Sequence, residues 1–91
     1  MDQRIGETCD KLTEIADTLY QGNTVKGIAD MGTIIPDLTI ICDLIQDEAV
    51  KVKLVQDALT PILQAMEARD GILLADVITY ELLELLQSLE D

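Results

Sequence analysis

Two pairs of carboxylates are spaced so that a helix would bring each pair together. Glu67 and Asp70 are three residues apart, and so are Glu81 and Glu84. Side chains three residues apart lie on the same face of an α-helix. Convergent carboxylates are the ligands that hydrolytic enzymes use to hold Mg²⁺. The spacing therefore permits a divalent cation at either pair, although such pairs are also common on the solvated faces of acidic helices.

The sequence agrees only in part with a metal-dependent hydrolase. Helical magnesium-dependent nucleotide pyrophosphohydrolases combine a Glu-Glu-x-x-Glu segment with a later Glu-x-x-Asp. Residues 67–70 resemble the second segment, whereas in residues 47–51 Lys51 stands where the third carboxylate belongs. We therefore predict no catalytic residue and no metal ligand. A divalent-metal-dependent hydrolase that uses clustered carboxylates is kept as an alternative.

The composition excludes several other chemistries. The chain has no His, which removes His-based acid–base catalysis, Ser–His and Cys–His nucleophile pairs and His metal ligands. Six Lys and Arg accompany eighteen Asp and Glu, which gives a net charge of −12. Binding of nucleic acid through its phosphates is therefore not expected. We predict a protein that is not an enzyme and needs no cofactor.

The chain is expected to be a soluble, cytoplasmic protein with a single domain over residues 1–91. Its first residues are polar, unlike a signal peptide. Its longest apolar run is far shorter than the roughly 20 residues of a membrane span. Cys9 and Cys42 lie on the apolar faces of separate predicted helices. We expect both to be reduced core residues, with no disulfide.

Apolar residues recur with helical spacing in four segments that are separated by turn signals. The segments cover, in chain order, about residues 3–21, 24–45, 48–68 and 72–89. Gly22 suits the left-handed position after the first helix. The predicted N-caps of the other three are Asn23 or Thr24, Asp47 and Asp70. Short connections between helices of similar length predict an all-α, up-down-up-down four-helix bundle.

Prolines fall inside the second and third segments, at Pro36 and Pro61. A proline within a helix removes one backbone hydrogen bond and bends the axis. We expect kinks at both positions or, at Pro36, the end of one short helix and the start of another. The Ile-rich run 33–41 would also suit a strand, but Pro36 and the alternating spacing of three and four residues argue against it.

The fourth segment is apolar on two sides. Its broad face consists of Leu74, Ala75, Ile78, Leu82, Leu85, Leu86 and Leu89. A second stripe consists of Ile72, Leu73, Val77, Tyr80 and Leu83. One bundle core needs only one face of a helix, so we expect the second stripe to lie at an interface. A short, splayed bundle in which a neighbouring helix covers both sides is the alternative.

The beginning of this segment resembles a motif of small helical bacterial proteins of unknown function. Their closing helix carries Asp-x-x-Leu-Leu-Ala-Asp followed by Tyr-Glu-Leu, and residues 70–82 read DGILLADVITYEL. The resemblance implies a bacterial, cytoplasmic protein and transfers no functional residue. It marks Asp76, Tyr80 and Glu81 as the polar positions of interest.

These observations favour a non-enzymatic protein–protein interaction module, an adaptor or chaperone-like bundle. We expect self-association through the fourth helix, because a two-fold homodimer would bury the second stripe without leaving an open edge. Another protein is the other partner that we expect. Besides the hydrolase, the remaining alternative is an acidic mimic that occupies a basic partner.

Overall fold

The computed structural model describes residues 3–89 and confirms the all-α four-helix bundle. The helices are α1 (Gln3–Tyr20), α2 (Thr24–Leu44), α3 (Ala49–Ala68) and a fourth helix, residues 71–89. No strand occurs within residues 3–89. The predicted domain also included residues 1, 2, 90 and 91, which lie outside the described residues.

Tight turns reverse the chain between successive helices. Gly22 has a φ of 89°, the left-handed conformation predicted for it. Arg69 follows α3 with a φ of 56°. The Asp70 carboxylate then accepts a hydrogen bond from the Leu73 amide at 3.0 Å, which confirms Asp70 as the N-cap of the fourth helix.

Of the other two caps, Asn23 is at its predicted position and the cap of α3 is not. Asn23 precedes α2, but its side chain makes no capping hydrogen bond. Glu48, rather than Asp47, occupies the cap position of α3. The Glu48 amide donates to the Ile45 carbonyl at 2.8 Å, so the preceding turn includes Asp47 and delays the start of α3.

Both prolines lie within continuous helices. α2 passes through Pro36 and α3 through Pro61, so the continuous form, rather than a break, is present at Pro36. Pro36 has no backbone N–H, so the carbonyl of Gly32 lacks its usual helical donor. Gly32 is exposed, and water can therefore hydrate that carbonyl.

α1 forms the centre of the core. It packs against α2 on one side and against the fourth helix on the other. Its buried residues are Ile5, Thr8, Cys9, Leu12, Ile15, Ala16 and Leu19. α3 packs mainly on the fourth helix and touches α2 at only a few places. The side of the bundle between α2 and α3 is therefore the most open.

The fourth helix contains one π-helical turn. Its segments are α4 (Gly71–Val77), the π turn (Ile78–Leu82) and α5 (Leu83–Leu89). The Leu83 amide donates to the Ile78 carbonyl, five residues earlier, which is the hydrogen bond that defines a π turn. The turn accommodates one extra residue, and the residues after it are rotated by about 100° relative to a regular helix.

This rotation changes which side chains face the core. In a regular helix, Glu81 and Leu85 would continue the buried face of Ile78, because they follow it by three and seven residues. In the structure Glu81 is exposed and Leu85 is only half-buried. The residues that are buried after the turn are Leu82, Leu83 and Leu86. Leu82 and Leu86 belong to the broad face predicted from spacing, so the effect of the π turn is to keep the Glu81 carboxylate out of the core and to bring Leu83 into it.

Candidate interaction surfaces

The second stripe predicted on the fourth helix is divided by the fold. Ile72, Leu73 and Tyr80 are 53%, 47% and 65% exposed. Val77 and Leu83 are 6% and 7% exposed, so the prediction that they face a partner is corrected. The chain's own helices cover Val77, and the π turn rotates Leu83 into the core.

The exposed residues of this stripe lie next to Asp76. Residues 73, 76 and 80 share one side of the helix by their spacing, and residue 72 lies beside them. The half-buried Asp76 carboxylate accepts a hydrogen bond from the Tyr20 hydroxyl at 2.5 Å. We call Ile72, Leu73, Asp76 and Tyr80 the fourth-helix patch.

The bond to Asp76 also changes the acidity of Tyr20. It raises the pKa of the Tyr20 phenol, and partial desolvation acts in the same direction. A hydrogen bond with Thr79 opposes this rise in the pKa without cancelling it. This polar contact joins the end of α1 to the edge of the patch, and it favours the neutral form of the Tyr20 phenol.

The fourth helix is negatively charged throughout. Between residues 70 and 89 the chain has Asp70, Asp76, Glu81 and Glu84 and no Lys or Arg. All six cationic residues come earlier in the sequence. Lys11, Lys26 and Lys51 form ion pairs with Asp37, Asp30 and Glu48, which are carboxylates of other parts of the bundle. The fourth-helix patch therefore combines apolar side chains with local negative charge.

A cleft of about 280 Å³ separates α3 from the fourth helix. It is lined by Leu54, Asp57, Ala58, Pro61, Glu81 and Leu85. Asp57 and Glu81 stand on opposite walls and are both exposed. The cleft therefore offers carboxylates to a cationic side chain and apolar walls to its aliphatic stem.

A second surface is the opening between α2 and α3. Its half-buried apolar residues are Ile28, Ile35 and Cys42 from α2 and Val52, Leu59 and Met66 from α3. Leu63, between Leu59 and Met66 on the same side of α3, is half exposed. At one end lies a cleft of about 220 Å³, lined by Thr24, Val25, Ile28, Ala29, Met66 and Arg69. We call the seven apolar residues from Ile28 to Met66 the α2–α3 groove.

Along the middle of the groove, the charged residues of α2 and α3 point away from it. Asp30 and Asp37 are the only charged residues between positions 27 and 42. Asp37 lies 4.0 Å from Lys11 of α1, and Asp30 lines a cleft against α1. Between positions 54 and 66 the only charged residue is Asp57, which faces the fourth helix. The middle of the groove is thus uncharged, whereas Asp43 lies beside Cys42 and Arg69 lines the cleft at one end.

The sequence places the chain in a family. Residues 3–91 match a family described as a domain of unknown function, DUF8042. The chain belongs to the DUF8042 family. No curated protein and no solved structure matches it. The motif in residues 70–82 implied a bacterial origin, and the family match does not show one.

The carboxylate pairs of this DUF8042 protein are not joined by further ligands in the part of the chain that the structure describes. Glu67, Glu81 and Glu84 are exposed, and Asp70 caps a helix. Among residues 3–89, no group of three or more Cys, Asp or Glu is arranged to hold a metal ion. The hydrolase alternative therefore gains no ligand set from these residues.

The cysteines of the DUF8042 chain occupy different environments. Cys9 is buried in the core and Cys42 is half-buried in the α2–α3 groove, and the two are not joined in a disulfide. Burial raises the pKa of the Cys42 thiol, and the neighbouring Asp43 carboxylate raises it further. Within residues 3–89, no helix has the length and apolar content needed to cross a membrane.

Proposed function

We propose that this DUF8042 protein is a non-enzymatic interaction module that binds another protein through the fourth-helix patch. The observation that carries the proposal is the exposure of Ile72, Leu73 and Tyr80 on a helix without a single Lys or Arg. Clustered exposed apolar side chains are typical of contact surfaces. Aromatic residues such as Tyr80 supply much of the binding energy at such surfaces.

The chemistry of the patch favours a basic, amphipathic helix as the partner segment. Its apolar face would cover Leu73 and Tyr80, and its Lys or Arg side chains would approach Asp76. The cleft between Asp57 and Glu81 offers a second position for a cationic side chain. Opposite charges would orient the partner and increase the association rate. The proposal thus combines two expectations from the sequence, an interaction module and a protein that binds a basic partner.

Self-association through the same patch is less favourable. Two copies that met there would bring their Asp76, Glu81 and Glu84 carboxylates together without any cation from residues 70–89. Like charges in contact across an interface oppose binding. We therefore assign the patch to a basic partner rather than to a second copy.

The test uses a synthetic peptide of defined chemistry. It has about 18 residues, roughly five helical turns, with Leu on one face and Lys on the other. A control peptide carries Glu in place of Lys. Calorimetric titration is expected to show saturable binding of the Lys peptide that weakens as salt is added, because salt screens exposed charges. The Glu peptide is expected not to bind.

Variants of the protein locate the contact. The double variant Leu73→Ser, Tyr80→Ser should weaken binding of the Lys peptide at least about tenfold, since interface anchors contribute more than a tenfold factor each. Val50→Ser alters a more exposed apolar residue at the start of α3 and should bind as the unaltered protein does. Equal affinity for both peptides, or full affinity in the double variant, would contradict the proposal.

A further inference from the structure

We infer that a second copy of this chain docks on the α2–α3 groove and forms a two-fold homodimer. The inference concerns a different surface from the fourth-helix patch and does not depend on it. It also moves the self-association predicted for the fourth helix to the opposite side of α3.

The groove exists because α3 packs against the fourth helix and makes few contacts with α2. In a closed four-helix bundle, sequential neighbours cover each other's apolar sides. Here Ile28 and Ile35 of α2 and Leu59 and Met66 of α3 are only partly covered. The spacing of three or four residues in α2 predicts a continuous buried stripe. Part of that stripe therefore lies on a surface that the chain's own helices do not cover.

The charge distribution selects a second copy as the occupant. Each copy carries a net charge of −12, so two copies can meet closely only where neither presents carboxylates. The middle of the groove meets this condition, because Asp30 and Asp37 face α1 and Asp57 faces the fourth helix. A basic partner would find only the Asp43 carboxylate, beside Cys42, with which to pair.

The other described grooves do not meet the condition. The clefts between α1 and α2 are lined by Glu7, Glu14, Asp30 and Asp37 together with Lys11. The cleft between α3 and the fourth helix has Asp57 and Glu81 on its walls. Charges at the rim of a dimer are tolerated more easily, because salt screens charges beyond about 8 Å at physiological ionic strength.

The groove is long enough for two helices of a second copy to lie along it. The described part of the molecule measures 37 × 22 × 20 Å. Helices of this length run about 30 Å along the groove at 1.5 Å per residue. A standard interface buries about 800 Å² on each partner. A two-fold axis across the groove would set α2 of one copy beside α3 of the other, so each copy would cover the same apolar residues on its partner.

The closing experiment compares two leucines on opposite sides of the same helix. Leu63 lies on the groove side of α3, and Leu54 lines the cleft beside the fourth helix. Both are about half exposed, so either can accept Glu without disturbing the core. Light scattering of the unaltered chain over a range of concentrations should approach twice the chain mass of 10.0 kDa. Leu63→Glu should remain monomeric, and Leu54→Glu should dimerise normally.

Salt separates this contact from binding at the fourth-helix patch. The dimer should tighten as salt rises, because salt screens the repulsion between two acidic copies whose contact contains no ion pair. Binding of the Lys peptide should weaken under the same conditions. Either contact can therefore fail while the other is observed.

Alkylation of Cys42 supplies a readout that needs no variant. Mass spectrometry of the digested protein locates the label, and the rate at Cys42 should fall as protein concentration rises through the dimer range. Three results would overturn the inference: a monomer at every concentration and salt level, a dimer that survives Leu63→Glu but not Leu54→Glu, or a Cys42 labelling rate that does not change with concentration.

Discussion

The hydroxyl of Tyr20 donates a hydrogen bond to Oδ1 of Asp76 across 2.5 Å and so joins the end of α1 to the fourth helix. The two residues are 56 positions apart in the sequence. The bond lies beside the exposed Tyr80 and thus forms the boundary of the fourth-helix patch. It favours the neutral phenol, because ionised Tyr20 would repel the carboxylate.

Removing the carboxylate should make Tyr20 more acidic. In a Tyr80→Phe background Tyr20 is the only tyrosine, so ultraviolet absorbance reports its ionisation alone. Asp76→Asn in that background should lower the pKa of Tyr20 toward its ordinary value of 10.0, because Asp76 is the main cause of the rise. An unchanged titration curve in the Asp76→Asn protein would mean that the bond is absent in solution.

The same bond predicts how stability depends on alkaline pH. The pKa of Tyr20 is higher in the folded protein than in the unfolded chain, so its stabilising effect is complete below pH 10.0 and is lost as pH rises through the raised pKa. Denaturant midpoints should therefore fall less steeply above that pH in Tyr20→Phe than in the unaltered protein. The pKa of Lys26 is also raised, by its bond to Asp30. Because Lys26 is present in both proteins, its titration does not contribute to the difference between them.

Two glycines of α2 should respond to alanine in opposite directions. A Cβ at Gly27 would lie 2.6 Å from Cγ of the fully buried Leu19, so Gly27→Ala should destabilise the protein by about 1–3 kcal/mol. A Cβ at Gly32 would meet no atom within 4 Å, and Gly32→Ala should stabilise by about 0.5–1 kcal/mol. Urea unfolding measures both free energies. Equal effects would show that α1 and α2 are not in close contact at Gly27.

Deleting one residue from the π turn should preserve the fold. Without Glu81 the fourth helix can become a regular α-helix with the same leucines buried, and Tm should stay constant or rise. Deletion of Asp57, an acidic residue in a regular part of α3, would rotate the buried Ile62 and Ala65 by about 100°. Losing Ile62 from the core costs about 2–5 kcal/mol, so this control should melt far lower. Circular dichroism melts decide the matter, and equal damage from both deletions would be inconsistent with the π turn.

The cap of the fourth helix gives a smaller effect. Asp70→Ala removes the acceptor of the Leu73 amide and should cost about 1 kcal/mol of unfolding free energy. Asp70→Asn keeps an oxygen acceptor and should cost only a few tenths of this amount. Thermal or urea unfolding of the two variants measures the difference. If the cap did not contribute to stability, the two variants would have equal unfolding free energies.

Local patterns predicted the helices and part of the site. The apolar spacing placed each helix end within about three residues, and Asp70 was predicted as a cap because N-cap chemistry involves only neighbouring residues. Asp47 was chosen instead of Glu48 because the intervening turn depends on a hydrogen bond between backbone atoms. Ile72, Leu73 and Tyr80 were predicted to lie at an interface, outside the bundle's own core, since a single core covers only one side of a helix.

The remaining features depend on packing. Leu83 was expected at an interface because a regular helix was assumed, and the π turn has no compositional signature. Val77 was expected there because the spacing along one helix does not show which sides the neighbouring helices cover. Glu81 on the apolar face was the one signal that could have indicated a shift of register. The groove between α2 and α3 was missed because the spacing of Ile28 and Ile35 reads as core whether or not another helix covers them.

The sequence by itself determined the helices, the acidic surface and the excess of apolar residues beyond one bundle core, because these follow from residue type and from spacing along a single helix. Only the tertiary structure decided which of those apolar residues remain accessible. That choice depends on how α3 leans on the fourth helix and on one extra residue in a π turn. The first feature arises from contacts between residues that are distant in sequence, and the second is a local change of register, so the spacing along a single helix reveals neither of them.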